Sequence, residues 1–162
     1  ERKNMHFMLD AYVKAFPNDN VQLLVLGGGA QLEELKVKYG NISNIKFMGN
    51  VMNVNRYLKA GDAYVSASKS EGLPNGVLEA MATGLPVVLS DIEQHLEVYE
   101  ANTKIGKTFI LNNLDDCVAK MQELVSSDYK LAGKEAYNSA HENFSASKMS
   151  SLYQNLYSQI AK

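Results

Sequence analysis

The sequence is nearly without cysteine: Cys117 stands alone among 162 residues. A disulfide framework and a cysteine metal site are thereby excluded, and a reducing, cytoplasmic setting fits. Cys117 lies on a helical pattern and reads as a small core hydrophobe, not a nucleophile. Charge of one sign is also lacking, because 16 Lys and Arg face 18 Asp and Glu, leaving a net charge of −2. Such a surface has no basic field, which disfavours nucleic acid as a partner. No apolar run approaches a membrane span, and no signal-peptide pattern opens the chain. There is no repeat, no low-complexity tract and no Gly-Lys-Ser/Thr, so a P-loop is excluded. His6, His95 and His141 have no metal-like spacing and no nucleophile partner. Each reads as incidental, although His95 falls near the candidate site below. An initiating methionine and a strand ahead of the first helix are missing too, and the chain is read as an excised fragment.

What is present reads as one α/β domain over 1–162, long enough for one good core and too short for two. Met5, Met8, Leu9, Tyr12, Val13 and Phe16 recur at helical spacing, and 17–20 is a turn. The run 21–26 has strand length; Gly27-Gly28-Gly29 then leads into a helix over 30–39 with Leu32 and Leu35 on one face. A dinucleotide fingerprint would need glycine at position 32, where the chain has leucine, so NAD binding is poorly supported. A third element, 45–48, is a strand; 53–59 is a short helix closed by Gly61. Strands alternating with helices at this spacing predict βαβ units and a parallel sheet covered by helices. Ligands on such sheets sit beyond the carboxyl ends of the strands. That puts 27–29, 48–51, 66–76 and 90–95 on one rim.

The most informative stretch runs over 63–91. Ala63-Tyr64-Val65 is a short strand followed by Ser66, Ser68 and Ser70. Glu71 to Gly76 is rich in residues that turn the backbone, and 77–83 carries good helix formers. Gly84 stands where a helix end favours positive φ, Pro86 prevents continuation, and 86–89 is apolar on both faces, as a covered parallel strand requires. A helix starting just after a strand aims free N–H groups and the positive end of its dipole above the sheet. Glycines at 72 and 76 let that backbone approach a diphosphate. Glu71 and Glu79 flank the arrangement, and a carboxylate accepts two hydrogen bonds from paired sugar hydroxyls. Taken singly, Glu71 reads as a loop charge and Glu79 as a solvated helix residue.

The whole string reads otherwise. Glu71-Gly72-Leu73-Pro74, then Glu79-Ala80-Met81-Ala82, then Gly84-Leu85-Pro86-Val87-Val88 resembles the signature of retaining glycosyltransferases of family 4, in the glycosyl transferases group 1. That resemblance implies the C-terminal, donor-binding half of a GT-B enzyme: a Rossmann-like parallel sheet flanked by helices, here lacking its first strand. It implies Glu71 facing the transferred sugar and Glu79 holding the ribose hydroxyls. The amides of Gly72, Leu73, Pro74-Asn75, Gly76 and Val77 would line the sugar and phosphate. Lys3 matches a lysine that binds the donor diphosphate. Its usual arginine companion lies a few residues upstream, a spacing that Arg2 does not have. Gly28 would belong to a donor-contacting loop, and Met48, Gly49 and Val51 to a loop that holds the nucleobase by backbone contacts. The segment 91–95 departs from the glycines usual there, which leaves acceptor contacts open.

The implied reaction moves a sugar from a nucleoside-diphosphate sugar (UDP or GDP) to a saccharide, lipid or other acceptor. No cofactor and no metal are expected, because Lys3 and the arginine would neutralise the leaving diphosphate. The implied partners are the nucleoside-diphosphate sugar and an N-terminal acceptor domain, with peripheral membrane contact by the parent. A sugar-nucleotide epimerase half, a nucleotide-sensing domain without catalysis, and a scaffold whose glycines serve turns alone are the rival readings. In Rossmann order the missing strand would lie between those at Val21 and Ala63. Either those two strands pair directly, or another segment or chain fills the gap. Beyond Asp91 the pattern predicts a strand over 108–111, helices over 114–125 and 128–142 (weakened by Gly133), and a last helix from Ser145. The stripe of that last helix, Met149, Leu152, Tyr153, Leu156, Tyr157 and Ile160, reads as core. The resemblance instead implies that part of it is bare.

Overall fold

A computed structural model describes residues 2–18 and 20–160. Asp19 of the expected turn and Glu1 lie outside the described residues. Helix α1 (Met5–Ala15) opens the fold and β1 (Leu23–Leu26), α2 (Leu32–Tyr39), β2 (Ile45–Gly49) and α3 (Val54–Ala60) follow. Next come β3 (Tyr64–Ser66), α4 (Asn75–Ala82), β4 (Val87–Ser90), α5 (Glu93–Ala101) and β5 (Gly106–Phe109). Three helices complete the chain: α6 (Leu114–Ser126), α7 (Tyr129–Asn143) and α8 (Ala146–Ile160). All strand pairs are parallel, as the alternation of elements requires.

β4 is buried along its whole length, as its unbroken apolar run predicts. Val88 joins a core with Leu9 and Tyr12 of α1, Val25 of β1 and Leu124 of α6. Val87 and Leu89, on the opposite face, pack with Met81 of α4, Val98 of α5 and Ala136 of α7. Burying a side chain of this size stabilises the fold by about 1.5–3 kcal/mol. The end of α4 follows from its sequence. Gly84 takes φ +88, its N–H donates to the Met81 carbonyl, and the Leu85 N–H donates to the Ala80 carbonyl. This paired closure turns the chain sharply into β4. At the other end of the fold, Asn113 caps α6 as expected, its side chain accepting from the Asp116 N–H.

The sheet is divided. β1 pairs with β2, and β4 pairs with β3 on one side and β5 on the other, but β1 and β3 do not pair. The direct pairing considered above is therefore corrected. A cavity of about 820 Å³ separates the two strands, lined by Leu23 to Leu26 on one side and Ala63 to Val65 on the other. Met8 and Tyr12 of α1, Leu58 of α3 and Leu124 of α6 also line it. Tyr12 is held by its hydroxyl, which donates to the Val21 carbonyl at 2.7 Å.

Other expectations need correction. Residues 93–101 form a full helix, α5, that the periodicity did not announce, and β5 begins two residues before the expected strand. Helix α7 runs through Gly133, and packing explains why glycine stands there. A Cβ there would lie 2.3 Å from the Gly84 carbonyl oxygen, so glycine permits the close approach of α7 to the α4–β4 turn. The stripe on α8 is not core: no residue of that helix is buried, and Leu156 and Tyr157 are 48% and 65% exposed. No helix among the described residues is long and apolar enough to cross a membrane.

Candidate functional site

The loops after β1, β2 and β3 meet at one mouth of the cavity, where Gly27, Asn50, Val51, Gly76 and Glu79 line it together. On the β1–β2 side the contribution is backbone. Gly27 and Gly29 take φ +108 and +135, and Gly49 takes +63, conformations that favour glycine. The Gly27 N–H donates to the Gly49 carbonyl at 2.7 Å, tying the two loops together. Gly28 sits against Asn50: a Cβ at 28 would lie 2.9 Å from the Asn50 Oδ1. Of the residues expected here, Val51 lines the cavity, whereas Gly28, Met48 and Gly49 do not. Met48 belongs to β2 itself and is 40% exposed.

On the β3 side the contribution is side chains. Glu71 has a side chain only 5% exposed. Its Oε1 accepts from the Lys3 Nζ at 2.5 Å and from the Ser68 Oγ at 2.7 Å. Burial opposes ionisation of this carboxyl. The Lys3 and Ser68 hydrogen bonds, with the Lys3 and Arg2 charges, outweigh it and hold Glu71 below the usual carboxylate range. The loop is anchored by the Glu71 N–H donating to Gln94 Oε1 at 3.4 Å and by the Lys69 N–H donating to the Arg2 carbonyl at 2.9 Å.

Glu79 is exposed and begins the second half of α4. Tyr64 feels the charge of both acids. Burial raises its phenol pKa, and the charges of Glu71 and then Glu79 raise it further. Its hydroxyl also touches the helix start, because a Cβ at Gly76 would stand 2.6 Å from the Tyr64 Oη. Gly76 is thus required by packing as well as suited to approach by a ligand. At the tip of α4 the Asn75 N–H donates to the Leu73 carbonyl, and those of Val77 and Leu78 to that of Pro74. Among the described residues the amides of Gly72, Leu73 and Gly76 have no protein acceptor. The expected amide row is therefore partly engaged by the turn itself, with three N–H groups left over.

Beneath Glu71 lies a group that the sequence reading passed over. Ser66, Ser68, Ser90 and His95 are all buried and joined by hydrogen bonds. The serine cluster after β3 was visible in the sequence, but its link to His95 crosses 29 residues and depends on α5. His6 pairs with Glu34 at 3.2 Å and His141 with the Tyr137 carbonyl, both away from this site. Cys117 is fully buried with its thiol pushed up to about 12, mainly by that burial, as a core residue would be. No group of residues fit to hold a metal ion occurs among the described residues.

A divided parallel sheet flanked by helices, with acids and a lysine at the start of α4, defines a Rossmann-like half. The chain matches the glycosyl transferases group 1 over residues 1–127, and it belongs to that family. It is 33% identical over 108 residues to the O-antigen biosynthesis glycosyltransferase WbnH of Escherichia coli, covering 67% of this chain and 30% of that protein. Among solved structures, a glycosyltransferase from Rickettsia africae superposes with a TM-score of 0.85 at 20% identity, over 100% of this chain and 45% of that one. TarM of S. aureus, solved in complex with fondaparinux, alpha-GlcNAc-glycerol and UDP, gives a TM-score of 0.84 at 22% identity, over 97% of this chain and 33% of its own. The fold is one half of the GT-B architecture. The chain spans about a third of the length of WbnH.

Proposed function

We propose that this chain is the donor-binding half of a retaining glycosyltransferase that takes its sugar from a nucleoside-diphosphate sugar. The observation that carries the reading is Glu71 held against Lys3 just ahead of α4, with Gly76 and Glu79 of that helix lining the cavity mouth. Glu79 holds the ribose hydroxyls, Glu71 faces the transferred sugar, and the amides of Gly72, Leu73 and Gly76 meet the sugar and phosphate. Lys3 and the α4 dipole favour the diphosphate as negative charge builds on it. Both act as fixed positive charge, so this mechanism needs no metal. The loops at Gly28 and at Met48 to Val51 hold the base through backbone. The presence of UDP in the TarM structure supports a nucleoside diphosphate as the ligand class, and the family match favours the transferase over an epimerase or a sensing domain.

The test is calorimetry with UDP and GDP against ADP and NAD. Binding of UDP or GDP that disappears in Glu79→Ala is the expected outcome. Equal binding of all four, or binding indifferent to that substitution, would refute the assignment. Acceptor recognition is assigned to the remainder of the parent protein, so this chain alone is expected to show no transfer to any acceptor.

A further inference from the structure

The buried cluster under Glu71 contains one imidazole, three hydroxyls and a carboxylate, and its protons can be counted. The Ser90 hydroxyl donates to the Ser68 carbonyl at 2.7 Å. The Nδ1 of His95 lies 3.1 Å from the Ser90 carbonyl oxygen and 3.0 Å from the Ser90 Oγ. A carbonyl can only accept, and the Ser90 hydroxyl has already spent its proton, so Nδ1 must carry the hydrogen. In the neutral ring Nε2 is then an acceptor, and it faces the Ser66 Oγ at 3.4 Å. The Ser66 Oγ is 3.2 Å from the Ser68 Oγ, which donates to Glu71 Oε1 at 2.7 Å. Three contacts therefore link His95 to Glu71, but the two serines supply only two protons.

One further proton completes the row, and it fits at either end. Placed on Glu71, it is donated to Ser68, with Ser68 donating to Ser66 and Ser66 to Nε2. Placed on Nε2, it reverses every donor: His95 to Ser66, Ser66 to Ser68, Ser68 to the carboxylate. The two arrangements interconvert by three hops, each proton shifting one place, with a net transfer of one proton and one positive charge and no heavy atom displaced. The charged groups that face the ring are Glu71 and Lys3, and the second arrangement preserves the Lys3–Glu71 pair while the first dissolves it.

We propose that His95 is the positioning residue for Glu71, acting through Ser66 and Ser68 as a proton relay. At rest it accepts the Ser66 proton and leaves the Ser68 proton aimed at the carboxylate. When a proton reaches Glu71, the relay carries it to Nε2 and returns Glu71 to the anion that a sugar hydroxyl and Lys3 both require. The importance of Glu71 to transfer rests on the function proposed above, whereas the relay itself does not.

Nuclear magnetic resonance on this chain tests it, with ¹⁵N in the imidazoles and ¹³C in the glutamate carboxyls. The neutral His95 ring should show the Nδ1–H tautomer. The Glu71 carboxyl carbon should show a second inflection at the pH where His95 titrates. Ser66→Ala and Ser68→Ala leave every charge in place and should remove most of that second inflection, and Ser68→Ala should also raise the Glu71 midpoint. An Nε2–H tautomer in the unaltered chain overturns the proposal and needs no variant to observe. A shared inflection that persists in both variants, which would show simple coupling through space, also overturns it. UDP calorimetry in parallel separates the two ideas: no UDP binding by the unaltered chain undoes the donor reading and leaves the relay standing.

Discussion

The two half-sheets on either side of the cavity face the same mouth with different materials. The β1–β2 pair brings glycines at positive φ and almost no functional side chain. The β3–β4–β5 sheet brings Glu71, Ser68, Tyr64, Gln94 and His95, each positioned by buried neighbours. Their interiors differ too: Leu24 of β1 is 38% exposed, whereas β4 is buried at every position. One half offers backbone at its rim, while the other offers a carboxylate, Glu71, held by Lys3 and Ser68. The contrast predicts that substitutions will act on stability in the second half and on local conformation in the first.

Glycines give the widest separation. A Cβ at Gly106 would lie 1.9 Å from the Val87 carbonyl oxygen, in the β4–β5 ladder. Gly106→Ala should destabilise the fold by on the order of 3–4 kcal/mol, lowering the thermal midpoint by roughly 10 °C. Gly49 of β2 takes φ +63 with no atom within 4 Å of its would-be Cβ. Gly49→Ala meets only backbone strain and should cost about 1 kcal/mol. Comparable losses from both, in thermal unfolding, would break the contrast.

The cavity edges come next. Leu23 and Gly27 point their N–H groups to the β2 side and Tyr64 to β4, so alternation turns Leu24, Leu26 and Val65 toward the gap. Two open edges facing each other form a template for a strand. In a dilute sample these three amides should exchange far faster than that of Val88. With a β-branched strand added ahead of Arg2 they should become protected, and the Lys69 to Arg2 hydrogen bond marks where that strand would leave the slot. Protection of Leu24, Leu26 and Val65 in the unextended, monodisperse monomer would mean that the edges are already satisfied.

What was legible in the sequence follows the same division. The signature stretch gave its strand, turn, helix and stop because Gly84, Pro86 and the apolar run of β4 act within a few residues of one another. Helix α6 was legible through its cap and first-turn acids. The α5 helix was not, because 91–101 mixes apolar and charged residues with little periodicity, and its one buried titratable residue, His95, is held by partners on β3 and β4. The α8 stripe misled for the opposite reason: periodicity reveals an apolar face but not whether anything covers it. The gap between β1 and β3 was foreseen, but its lining by side chains of α1 and α6 was not, because those contacts join residues far apart in the chain.

The smallest expected effect is the pH dependence of stability, and it belongs to the second half alone. Burial is the main cause that lowers the His95 pKa from 6.5. The unfolded chain therefore binds a proton at a pH where the folded chain does not, and stability declines as pH falls through about 6.5 toward the folded value. Glu71 is held below its usual 4.5, so its share is intact above that pH and is lost as acid reaches the lowered value. Two successive declines should appear on acidification, the first removed by His95→Gln and the second by Glu71→Gln. Amide exchange followed residue by residue locates them. If Val88 and Val87 lose protection while Val25 keeps it, the half-sheets open separately. If all three fall together, α1 and α6 couple the halves into one cooperative unit despite the missing hydrogen bonds between β1 and β3. The shared core of Leu9, Tyr12, Val25, Val88 and Leu124 favours the second result, because apolar packing across the gap does not need a ladder to transmit unfolding.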